Sequence, residues 1–214
     1  MADRITLSDA APVVPEIAHA VIDARDHLSE IDGATGDGDH GVNMAKGFRM
    51  VLERLDGKDL DLRQGFAVVG DTLLSDIGGS MGPLYGSLFT EMSDTLEGRQ
   101  AIDVAALAAM LKAAEGAIAD LGDAKVGDKT LMDVLVPARE AAEKAEAANE
   151  TLVSALAAIR EAAASGLEST RDLVAKRGRA ARLGERSRGV LDAGAASCEL
   201  ILRTLANGLS ERLS

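Results

Sequence analysis

Tryptophan is missing from this chain of 214 residues, tyrosine occurs once and phenylalanine three times, so aromatic residues make up only 2%. Valine and isoleucine are sparse beside alanine and leucine. β-Sandwiches and barrels draw on aromatic and β-branched side chains, and this scarcity disfavours both. A single cysteine, Cys198, excludes an internal disulfide and a cysteine-based zinc cluster. Positive charge is also short: 23 Lys and Arg face 35 Asp and Glu, a net charge of −12. Nucleic-acid binding needs a basic face, so that class of partner is set aside. No apolar run approaches the roughly 18 residues that span a bilayer, and the polar stretch from Met1 to Asp9 lacks the apolar core of a signal peptide. These absences describe a soluble, cytoplasmic protein with neither a nucleic-acid nor a membrane partner.

What is present is a 47% hydrophobic composition, rich in alanine and spaced for helices. Val14, Ile17, Ala18, Val21, Leu28 and Ile31 mark a first helix, with Pro12 and Pro15 near its start. Further helices are expected at about 41–55, 62–75, 83–96, 104–121, 129–148, 151–175 and 194–207. The expectation is one all-α domain over residues 1–214, an eight-helix up-and-down bundle. In such a bundle every second joint lies at the same end. The glycine-rich joints at 32–41, 78–83, 122–129 and 178–194 follow helices one, three, five and seven. They therefore meet at one pole, and the joints near Asp56, Gly98 and Glu150 lie at the other.

The joint Asp32-Gly-Ala-Thr-Gly-Asp37-Gly-Asp39-His40-Gly41 carries three carboxylates and four glycines in ten residues. Carboxylates this crowded repel one another unless a cation compensates them, and oxygen ligands suit Mg²⁺ or Ca²⁺. The stretch Gly36 to Gly41 formally matches a dinucleotide fingerprint, but a helix precedes it where a strand is required. It also fails as a calcium hand: counting from Asp37, the twelfth position is Phe48 instead of a bidentate Glu. The surviving reading is a cation on Asp32, Asp37 and Asp39, facing a phosphate held by backbone N–H groups of Gly41, Val42 and Asn43 at a helix start. Aspartate-glycine turns with ordinary caps are the plainer alternative. His40 fits a phosphate contact or a satisfied core histidine, and without a cysteine or second nearby histidine it does not suggest zinc.

Gly122 to Thr130 nearly matches a phosphate-binding P-loop, but Asp128 separates Gly127 from Lys129-Thr130. A glycine joint packing on a nucleotide base competes there with a plain helix cap. Gly78 to Gly82, with Ser80, is either a helix stop and start or a phosphate wrap. Arg177, Arg179, Arg182, Arg186 and Arg188 form the densest basic stretch. It is either a solvated loop or, opposite the carboxylates, a phosphate clamp.

Together, Gly36-Asp-Gly-Asp-His-Gly41, Gly78-Gly-Ser-Met-Gly-Pro-Leu-Tyr-Gly86, Gly127-Asp-Lys-Thr130, Leu183-Gly-Glu-Arg-Ser187 and Asp192-Ala-Gly-Ala195 resemble the nucleotide-binding L subunit of dihydroxyacetone kinase (DhaL). The resemblance covers essentially the whole chain. It implies an eight-helix antiparallel barrel that binds ADP or ATP through two Mg²⁺ ions at one end. By position, Asp32, Asp37 and Asp39 would be the metal ligands. His40, Gly41, Val42 and Asn43 would contact phosphates, and Ser80 and Met81 the nucleotide. Gly122 and Leu131 would border adenine and ribose. Arg179 would reach the transferred phosphoryl group as the catalytic residue, and Asp192, Ala193 and Gly194 would close the loop. The family often has Asp-Pro-Gly at 192–194 and a Tyr where Arg182 stands. The implied activity is phosphoryl transfer to dihydroxyacetone held on a separate K subunit. ADP would be rephosphorylated by a phosphotransferase-system protein, the M subunit. An ATP-dependent kinase for another short ketose or tetrose is the alternative, as is a regulatory module binding a transcription activator. Homodimerisation is left open, and a fatty-acid kinase ranks last.

Overall fold

A computed structural model describes residues 3–213. Among the described residues nine α-helices dominate: α1 (Val13–Asp23), α2 (Arg25–Gly33), α3 (His40–Leu55), α4 (Leu62–Asp76), α5 (Met81–Thr95), α6 (Val104–Gly122), α7 (Met132–Ala147), α8 (Leu152–Ser169) and α9 (Ala193–Glu211). The helices agree with the spacing of apolar residues, with two corrections. The expected first helix is broken at Ala24, whose φ of −80° and ψ of 2° end α1 before α2 begins. Residues 151–175, expected as one helix, divide into α8 and a 3₁₀ turn at Thr170–Asp172.

Each helix packs on the next, and α9 returns to α1, so the staves close into an antiparallel ring in which α1 and α2 share one position. The break at Ala24 lets α2 lie close against the first turn of α3. Gly41 is buried there, and a Cβ on it would overlap the Arg25 carbonyl and Ser29. The core is aliphatic, with the three phenylalanines gathered in one cluster. Phe89 stands 6.1 Å from Phe48 and 5.5 Å from Phe66, ring centre to ring centre, in the range of edge-on aromatic contacts.

The pole where α4, α6 and α8 begin is closed by backbone pairing. A two-stranded antiparallel ribbon, β1 (Ile5–Thr6) with β2 (Ala101–Ile102), joins the start of the chain to the α5–α6 connection. The Leu62 N–H donates to the Leu7 carbonyl. Among the described residues, no helix is long and apolar enough to cross a membrane.

Candidate nucleotide and metal site

At the other pole the four glycine-rich joints surround one cavity of about 750 Å³. Helix parity alone accounts for their meeting. The first joint contributes Asp32, Asp37, Asp39, His40 and Asn43; the second, Ser80 and Met81; the third, Gly122 and Leu131; the fourth, Arg179, Asp192, Ala193 and Gly194. Gly41 and Val42 do not line it. Gly41 is a packing glycine under α2, and Val42 faces outward.

One carboxylate oxygen each of Asp32, Asp37 and Asp39 lies within 4.8 Å of the others. Asp32 sits at the end of α2, and Gly36 folds over its carboxylate so closely that a Cβ would collide with Oδ1. Gly38 turns the chain with a φ of +77°, a conformation that favours glycine. Asp39 occupies the position before α3 but makes no side-chain cap. Its carboxylate therefore joins the other two. The donor set is oxygen only and anionic, which suits a hard divalent cation. Arg179 reaches across the mouth to pair with Asp37.

Around the cavity the first N–H groups turn to groups of the site itself: the His40 N–H of α3 donates to the Asp32 carboxylate at 3.3 Å, and the Met132 N–H of α7 to the Thr130 hydroxyl at 3.2 Å. Neither Asp39 at α3 nor Ser80 at α5 accepts a hydrogen bond from its own helix through its side chain. Such starts attract anions. Of the cavity's helix starts, α9 is the one with a side-chain cap, in which Asp192 accepts from the Ala195 N–H at 2.8 Å. Burial pushes the Asp192 carboxyl up to about 6, against the opposing pull of the Ala195 N–H and of Lys129. Burial likewise holds the His40 imidazole below its ordinary value, although Asp32 pulls the other way.

Lys129 departs from what its P-loop-like spacing suggests. Its residue is 1% exposed, and its ammonium donates to the carbonyls of Ser187 and Val190 at 2.6 Å and of Leu173 at 3.3 Å. It ties the third joint to the fourth instead of reaching for a phosphate. Arg177 reinforces the tie through the Asp123 carbonyl at 2.8 Å and the Asp128 carboxylate at 3.4 Å. Asp133 receives the N–H groups of Gly127 at 2.6 Å and Thr130 at 2.8 Å. Of the remaining arginines, Arg188 pairs with Glu185, and neither Arg182 nor Arg186 lines the cavity. Two of the five arginines, Arg177 and Arg188, are thus held by pairing within the joints, while Arg179 and Arg177 line the cavity. Tyr85, on α5, also lines the cavity. Its only signal in the sequence is its place in the second glycine motif.

Residues 34–207 match the DAK2 domain. Over 203 residues the chain is 34% identical to the "PEP-dependent dihydroxyacetone kinase 2, ADP-binding subunit DhaL" of Listeria innocua, with 93% of each chain covered. Over 194 residues it is 37% identical to the D-erythrulose kinase of Mycolicibacterium smegmatis, covering 89% of this chain and 33% of that one. Among solved structures it is similar to the dihydroxyacetone kinase from C. freundii in complex with AMP-PNP and Mg²⁺, with a TM-score of 0.68 and 28% identity. That likeness covers 92% of this chain and 33% of the other. The match over most of the chain and the full-length likeness to a relative 34% identical show the same thing: the chain belongs to the DAK2 domain family.

Proposed function

We propose that this chain is the ADP- or ATP- and Mg²⁺-binding subunit of a dihydroxyacetone kinase, a single nucleotide-binding domain that works in the cytoplasm. A separate K subunit would hold the dihydroxyacetone, and an M subunit of the phosphotransferase system would rephosphorylate retained ADP. The observation that carries this reading is the convergence of Asp32, Asp37 and Asp39 at the mouth of a cavity onto which α3 and α5 open with no side-chain cap from Asp39 or Ser80. The full-length likeness to an ADP-binding subunit supports it.

Phosphoryl transfer asks for positioning and charge neutralisation more than for covalent help from the protein. Two Mg²⁺ ions on the three aspartates would supply that neutralisation when bound. The chain's own contributions are distinct. The starts of α3 and α5 direct N–H groups and helix-dipole charge at the phosphates. Arg179, more than half exposed and paired only at its tip with Asp37, can turn its guanidinium onto phosphoryl oxygens. Gly122 and Leu131 offer an apolar edge for the base, and Asp192, Ala193 and Gly194 close the far wall.

Titration calorimetry with ADP tests the reading. Binding is expected only with Mg²⁺, and Asp37→Ala should lower affinity by more than the ~10–100-fold typical of groups behind a metal ligand. Unchanged affinity in that variant sinks the metal assignment. The second reading, an ATP-exchanging kinase subunit for another short ketose or tetrose, is favoured by the likeness to a D-erythrulose kinase. Free exchange of bound ADP for ATP selects that version, and retention of ADP selects the phosphoprotein-fed one.

A further inference from the structure

Behind the aspartate run lies a buried polar chain that the binding of a nucleotide leaves unexplained. His40 Nε2 is 2.8 Å from Ser197 Oγ, and that oxygen is 2.6 Å from the Tyr85 hydroxyl. The Tyr85 hydroxyl lies 2.9 Å from the Gly194 carbonyl. Ser197 Oγ is also 3.1 Å from the carbonyls of Ala193 and Gly194. The side chains come from α3, α5 and α9, and Ser197 is fully buried.

Counting protons decides how this chain is wired. Ser197 and Tyr85 each have one hydroxyl proton, and a carbonyl can only accept. If Ser197 gave its proton to His40, Tyr85 would have to give its own to Ser197, and every carbonyl contact would lack a proton. If His40 Nε2 carries the proton and donates to Ser197, the two hydroxyl protons serve the Ser197–Tyr85 contact and one carbonyl. Three contacts are then satisfied instead of two, and each hydrogen bond made in a buried site adds to stability.

We propose that Ser197 and Tyr85 hold His40 in the tautomer with its proton on Nε2, leaving Nδ1 as a hydrogen-bond acceptor at the nucleotide site. The proposal rests on the nucleotide and Mg²⁺ reading above. A neutral Nδ1 without a proton cannot donate to a bare phosphate oxygen. Its partner must itself bear a proton, and beside three carboxylates arranged for a hydrated cation that partner is a cation-bound water. His40 thus orients the hydrated ion, and Ser197 and Tyr85 act as positioning residues through it.

Proton–nitrogen correlation spectra of protein carrying ¹⁵N-histidine test this directly. In the nucleotide-free protein, at a pH where the ring is neutral, His40 Nε2 should appear as the protonated nitrogen and Nδ1 as the bare one. The reverse assignment overturns the proposal. Ser197→Ala should release the ring into a mixture of tautomers and weaken Mg²⁺-dependent ADP binding about 5-fold, the loss of one hydrogen bond. Tyr85→Phe should shift the mixture less. A Ser197→Ala spectrum with the wild-type tautomer removes Ser197 from the role. On adding Mg²⁺ and ADP, Nδ1 should move and stay unprotonated; a proton arriving on Nδ1 overturns the acceptor role. If ADP fails to bind at all while Nε2 carries the proton, the nucleotide reading fails and the tautomer assignment stands.

Discussion

The two poles of this helical ring use the same kinds of residue for opposite ends. Away from the cavity, Asp61 caps α4 in a reciprocal box with Gln64, Asp103 caps α6 and Thr151 caps α8. Around the cavity, Asp39 and Ser80 stand at equivalent positions before α3 and α5 and cap nothing. An N-cap contributes about 1 kcal/mol to stability. The far pole takes that stabilisation from its helix starts; at the starts of α3 and α5 the near pole forgoes it and leaves the Asp39 and Ser80 side chains free of their helices. Residue type at a helix start therefore does not separate binding from capping, but the side chain's partner does.

The sharpest way to break this contrast is to attack the internal support that replaces the missing caps. Lys129→Met should leave the carbonyls of Leu173, Ser187 and Val190 without their buried donor. The expected loss is about 3 kcal/mol, because unsatisfied buried groups cost ~1–3 kcal/mol each and part is regained by relaxation. Urea unfolding measures it. A loss below about 1 kcal/mol would mean that the two joints hold together without the lysine.

Asp192 makes the same contrast titratable, since it caps α9 from a half-buried position in the cavity wall. Its folded value of about 6 lies above the ordinary carboxylate value of 3.8, so the folded state favours the protonated form. Stability from this group is fully present below pH ~4 and is lost as pH rises to ~6. Asp192→Asn keeps an acceptor for Ala195 and removes the titration. At pH 7 the variant should be more stable than wild type by about 2 kcal/mol, an amount within that shift, and the difference should vanish near pH 4. Thermal melts across this range check both halves; a variant less stable at pH 7 refutes the burial argument.

A matched pair gives the smallest effect and the cleanest comparison. Asp103→Ala should cost about 1 kcal/mol of stability and leave ADP affinity unchanged. Ser80→Ala should leave stability unchanged and weaken ADP binding several-fold, as the loss of one hydrogen bond would. If Ser80→Ala destabilises the fold like a lost cap, the two poles are not specialised as described.

Much of this architecture was legible in the chain itself. Apolar spacing placed the helices, and parity placed the four glycine joints at one pole, because an up-and-down path leaves no other arrangement. The aspartate run announced itself by crowding. Other features had no local signal. The break at Ala24 involves neither glycine nor proline, and the packing of α2 on Gly41 that accompanies it is visible only in three dimensions. Lys129 sits at a spacing that suggests phosphate, yet tertiary burial gives it to three carbonyls. His40, Tyr85 and Ser197 meet across 112 and 157 residues of sequence, beyond any motif.

The ring also settles where a tether can be attached. The first turn of α1 and the last of α9 lie together at the pole opposite the cavity, joined by Arg212 to Glu16 at 2.6 Å and to the Asp9 carbonyl at 3.0 Å. A linker leaving either end departs from the closed side and crosses no joint of the site. Such a closed side leaves room for both kinds of relative, one matched over 93% of its length and one over 33%.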